Sequence, residues 1–144
     1  MKEPIWVAEK IVLAIHEDQL AQHGGSSGIR DENLLGASLA RPKHLFTYSE
    51  PSIFDLAAAY GYGLANNHRA SSMLPEQSSG HTPVCVDGNK RTAFMVMYTF
   101  LGLNGYWLEV EEMEVVVKME DLTMNKENQE SIALWLKKNS TFDN

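Results

Sequence analysis

Apolar residues recur at helical spacing along most of this chain. Between Ile5 and His23 they fall at Val7, Ile11, Val12, Ile15 and Leu20, which predicts a first helix ended by Gly24-Gly25 as a C-terminal cap. Asp31-Glu32 opens a shorter second helix through Leu34, Leu35 and Leu39. That helix is expected to end before Pro42, because the residue ahead of a proline is pushed out of helical geometry. Arg41 to Pro51 then reads as a linker holding His44, Phe46 and Tyr48 in an exposed flap. Ser52 is placed to cap a third helix, from Ile53 to Asn67, whose Ala57, Ala58, Ala59, Gly61 and Gly63 leave room for a close neighbour.

From Thr92 to Leu103 nearly every residue is apolar or small, too many for one stripe, so this helix is expected to be buried all round and to form the centre of the core. Before it, Arg69 to Thr82 is rich in Ser, Gly, Pro and Gln and reads as a loop with Met73 and Leu74 as its apolar anchors. After it, Asn104-Gly105 makes a turn and Tyr106 to Val110 is briefly extended. Glu111 to Leu122 is a helix in which charges alternate with Met113, Val115, Val116, Val117 and Met119. Glu127 to Lys138 is a final amphipathic helix burying Ile132, Leu134 or Trp135, and Leu136. With almost no strand signal, the pattern predicts an all-α fold, a compact bundle of about six helices around a buried central one.

A chain of 144 residues fits one domain spanning 1–144, large enough for a real core. A net charge of −7 argues against general nucleic-acid binding, which depends on clustered Lys and Arg, so any anion site must be local. Cys85 is the single cysteine and has no partner for an internal disulfide. No N-terminal run resembles a signal peptide, and no apolar stretch reaches the roughly 18 residues of a membrane span. The expectation is a cytoplasmic protein without a membrane partner.

The candidate chemistry lies at the entrance to the central helix, in Asp87-Gly88-Asn89-Lys90-Arg91-Thr92-Ala93. Cations at a helix N-terminus face its partial positive charge and each cost on the order of 0.3–1 kcal/mol. A bound anion reverses that sign, since phosphate groups bind readily where helix N–H groups are exposed. Gly88 would let backbone approach such a ligand closely. The alternative is that Lys90 and Arg91 pair with some of the 19 carboxylates and face water. Other motifs carry less. His68, His81, Cys85 and Asp87 match no usual zinc spacing, Gly61-x-Gly63 lies within a helix and reads as packing, and Gly88-Asn89-Lys90 lacks the glycine spacing of a P-loop.

The run Val86 to Phe94 resembles the signature of the death-on-curing (Doc) branch of the Fic superfamily, His-x-Phe-x-Asp-(Gly/Ala)-Asn-Lys-Arg. Ile15-His16 with Gly24-Gly25, Gly28-Ile29-Arg30-Asp31, Leu39-Ala40-Arg41-Pro42, Asn66-Asn67-His68, Leu103-Asn104-Gly105 and Ser131-Ile132-Ala133-x-Trp135-Leu136 fall in the family's order as well. The resemblance implies a Fic/Doc-like domain and a toxin of a toxin–antitoxin system. Such a toxin is a kinase that moves the ATP γ-phosphate to a threonine of elongation factor Tu. Asp87 would hold Mg²⁺, Gly88, Asn89, Lys90 and Arg91 would bind the nucleotide phosphates, and a Phd-like protein antitoxin would cover the site. Neither terminal helix carries the Ser/Thr-x-x-x-Glu-Gly/Asn inhibitory pattern of self-inhibited Fic proteins, which favours a separate antitoxin. Adenylyl-transferring relatives have Gly-Asn-Gly-Arg where this chain has Gly88-Asn89-Lys90-Arg91, so Lys90 favours the kinase.

Two anchor positions depart from that signature. Pro83 stands where the family has its proton-accepting histidine and Cys85 where it has phenylalanine. Proline has no ionisable side chain and cannot act as a general base. His68, closing the third helix in Asn66-Asn67-His68, is the preferred replacement, with residues 69–82 as a loop insertion before the motif resumes; His81 is the alternative. A catalytically degenerate member kept as a binding module is the competing reading, and Cys85 reads as a small buried residue.

Overall fold

The computed structural model describes residues 2–23, 32–71 and 83–142, with the backbone alone at 20, 23, 32–34, 67–71 and 83–89. Among these residues the chain forms α1 (Glu9–His23), α2 (Glu32–Tyr48), α3 (Ile53–Ser71), α4 (Pro83–Leu103), α5 (Glu112–Thr123) and α6 (Gln129–Lys138). Two short strands, β1 (Tyr106–Leu108) and β2 (Ser140–Phe142), pair antiparallel with Trp107 opposite Thr141. The all-α expectation therefore holds, with the expected extension after Gly105 realised as β1. Its partner β2 had no signal in the pattern.

The core is built on α3 and α4. Leu56 to Tyr60 on α3, and Ala93, Val96, Met97, Phe100 and Leu101 on α4, are fully buried. The small residues of α3 serve two contacts. A Cβ on Gly61 would meet Met97 of α4, while one on Gly63 would meet Ser38 of α2, whose hydroxyl donates to the Gly63 carbonyl at 3.1 Å. Ser52 caps α3 as expected. Its hydroxyl accepts from the Asp55 N–H at 3.1 Å, and the Asp55 carboxylate accepts from the Ser52 N–H at 2.8 Å.

Several boundaries differ from the pattern. Helix α3 runs to Ser71, so residues 69–71 of the expected loop insertion are helical, Arg69 and Ala70 being good helix formers, while 72–82 lie outside the described residues. Helix α1 starts at Glu9 and not Ile5. The backbone ahead of it is held by other groups: Asn104 accepts from the Ile5 N–H at 2.8 Å and donates to the Ile5 carbonyl at 3.0 Å, and the Val7 N–H donates to Tyr60 Oη at 3.1 Å. Helix α2 runs through Pro42 to Tyr48, so there is no flap at 41–51. An interior proline costs about 3 kcal/mol, and packing on either side of it outweighs that cost. Leu45 and Phe46 reach the core cluster, Phe46 meets Trp6 edge-on at 5.8 Å, and Arg41 stacks over the Tyr62 ring at 4.7 Å. His44 and Tyr48 are exposed as expected. Helix α4 begins at Pro83, well before Thr92, because a proline at the first helical position is preorganised and lacks only an N–H that would have no partner there.

The C-terminal helices close the bundle. Asn128 and Ser131 form a reciprocal capping box at the start of α6. On α6 it is Trp135 that is buried, while Leu134 is exposed. The Trp135 indole N–H donates to Glu114 at 2.8 Å, tying α6 to α5. Among the described residues, no helix is long and apolar enough to cross a membrane.

Candidate functional site

Because α4 begins at Pro83, Asp87 to Arg91 lie inside the helix and not ahead of it. Two consequences follow from helical geometry. The N–H of each residue in the helix interior is turned to the carbonyl one turn back, so an anion beside Lys90 and Arg91 would be held by side chains and not by free backbone N–H groups. The dipole penalty expected at a helix end also fades after the first turn, and both cations stand beyond it.

Lys90 and Arg91 are half-buried, and both line a groove against α5 formed by Val115, Val116, Met119 and Glu120. Arg91 also lines the adjoining groove, together with Gln19 and Gln22 of α1, Phe94 and Tyr98 of α4, and Glu112 and Val115 of α5. A single guanidinium thus borders both spaces, with apolar walls that would strengthen any charge-assisted bond made there. The side chains of Asp87, Gly88 and Asn89 lie outside what the structure describes, as do that of Cys85 and all of His81.

His68 lies in the last turn of α3, and its backbone position follows from the α3–α4 register. Gly61 faces Met97 and Tyr60 faces Phe100, with ring centroids 5.2 Å apart, so residue numbers rise on α3 as they fall on α4. The helices are antiparallel. Position 68 is about two turns beyond Gly61, and two turns back from Met97 on α4 is the level of Lys90. The register therefore carries His68 to the Lys90 level, while its imidazole lies outside the described residues.

The buried polar pair of the structure had only an indirect signal in the sequence. His16 Nδ1 and Thr92 Oγ1 share a hydrogen bond of 3.1 Å between α1 and α4, both side chains being buried. Gln19, one turn on from His16, is buried as well. Polar residues three apart on an otherwise apolar helical face were the available sign.

Residues 6–69 match the family model described as the Fic/DOC family. That match ends one residue past His68, where the composition changes. Over 90 residues the chain is 37% identical to "Toxin Doc" of Mycolicibacterium smegmatis, an alignment covering 61% of this chain and 58% of that protein. The chain thus spans less than two thirds of the length of this relative. Taken with the Asp87-Gly88-Asn89-Lys90-Arg91 run on α4, these matches make the chain similar to the Fic/Doc family over residues 6–69 and to a Doc toxin over 90 residues.

Proposed function

We propose that this protein is a Doc-like toxin, a protein kinase that transfers the γ-phosphate of ATP to a threonine of a translation factor, with elongation factor Tu as the candidate substrate. The observation that carries the reading is the pair Lys90-Arg91, both lining one groove beside α5 in a chain similar to a Doc toxin. Phosphoryl transfer calls for positioning and charge stabilisation more than for covalent chemistry. Lys90 and Arg91 supply the positive charge, Asn89 beside them would complete the phosphate-binding run, and Gly88 leaves room for a phosphate to approach the helix.

Mg²⁺ is usually held by one or two carboxylates together with substrate phosphate oxygens, a donor set that Asp87 and a bound nucleotide would fit. There it would neutralise charge on the phosphates. His68 is the candidate acceptor of the threonine hydroxyl proton, supported by the register that brings its helix turn level with Lys90; His81 is the alternative. A Phd-like antitoxin would neutralise the protein in the cell. Lys90 argues against adenylyl transfer.

Pro83 and Cys85 favour one competing reading, a family member that binds and no longer reacts. Induced expression in bacterial cells separates the two. Wild type is expected to arrest growth and to leave phosphothreonine on elongation factor Tu, and Arg91→Ala to restore growth. Unimpeded growth with the folded wild-type protein present contradicts the kinase reading.

A further inference from the structure

We propose that His16 is a positioning residue that, through Thr92, sets the rotation of α4 and so presents Lys90 and Arg91 to a nucleotide; the inference rests on the phosphotransfer reading above. Successive residues of an α-helix are turned by about 100° around its axis. Pinning one residue therefore sets the direction of its neighbours. Thr92 is pinned to α1 by His16 at 3.1 Å. One step back, Arg91 lines a space shared with Gln19 and Gln22 of α1 and with Val115 and Val116 of α5. A further step back, Lys90 lines the groove formed with Val115, Val116, Met119 and Glu120 of α5. The progression from α1 to α5 over Thr92, Arg91 and Lys90 is the phase that the His16 bond selects.

A buried bond between two short polar groups is lost unless both are aimed at each other, so it responds to a small roll of α4. Gly88, one turn before Thr92, weakens the helix locally, so the stretch carrying the cations gains most from an anchor. His16 touches no substrate in this scheme and acts through Thr92.

The test is the affinity of the full chain for ATP with Mg²⁺, by titration calorimetry, at a temperature where melting curves show every variant folded. Thr92→Val keeps the shape and removes the hydroxyl; it is expected to weaken ATP binding about tenfold, equivalent to about 1.4 kcal/mol. Thr92→Ser, which keeps the hydroxyl, is expected to stay within about twofold of wild type. His16→Leu should reproduce the valine effect by the other partner and serves if Thr92→Val does not fold. Rescue by serine separates positioning from simple packing. Thr92→Val and His16→Leu binding as wild type does, or Thr92→Ser binding as weakly as Thr92→Val, overturns the proposal. A folded wild type that binds no ATP overturns the phosphotransfer reading itself.

Discussion

Gly61 and Met97 meet so closely that a Cβ added to the glycine would lie 2.3 Å from the methionine sulfur. This contact sets the spacing of α3 and α4 and with it the antiparallel register that brings the His68 turn level with Lys90. Two effects oppose each other in Gly61→Ala. Helix propensity gains about 1 kcal/mol, and overpacking costs about 1–3 kcal/mol. Met97 is fully buried and cannot swing into solvent, so the clash is expected to win. Chemical denaturation should show a net loss of up to about 2 kcal/mol. In a double-mutant cycle, Met97→Ala should cost less in the alanine background than alone, with a coupling of at least about 0.5 kcal/mol.

What the sequence made legible, and what it did not, follows from the same packing. The small residues of α3 announced a close neighbour, and Gly61 and Gly63 have one each, in α4 and α2. The apolar density after Thr92 announced the buried helix. Pro42 misled, because the local rule about the residue before a proline says nothing of Phe46 reaching Trp6. The start of α4 misled for a related reason: the polar run Asp87 to Arg91 looks like a loop, while Pro83 further back is a good helix start. As for the site, the cations were legible from their adjacency in the motif, but the grooves they line are made with α1 and α5, which no local pattern reveals.

Asn104 pins the N-terminal segment to the end of α4. Its amide exchanges two hydrogen bonds with the backbone of Ile5 and also donates to the Phe100 carbonyl at 2.8 Å. Asn104→Ala leaves these groups to water, which reaches most of them, so the cost is expected near the lower end of the range for lost bonds, about 1–2 kcal/mol. Hydrogen exchange gives the more local readout. The Ile5 amide should lose its protection while amides in the centre of α4 keep theirs.

Tyr60 gives the fold a sensitivity to alkali. Burial pushes its phenol above the ordinary 10.0, and the N–H that Val7 donates to it pulls weakly the other way. With the folded value above the unfolded one, the unfolded state loses its proton first as pH rises. This contribution to stability is therefore complete below about pH 10 and is lost as pH climbs from there through the folded value. Tyr60→Phe removes the titration and leaves the Val7 N–H without its acceptor, a cost of about 1–3 kcal/mol at neutral pH. The gap between wild type and variant is expected to narrow above pH 10; a constant gap would contradict the assignment.

The most direct measurement follows the phosphate. The full chain and elongation factor Tu are incubated with Mg²⁺ and ATP labelled at the γ position or, in a parallel reaction, at the α position. Label from the γ position is expected to appear on a threonine of the factor, with none from the α position, and His68→Ala is expected to abolish the transfer. Transfer of the α label, or no transfer of either by folded wild-type protein, contradicts the proposed kinase.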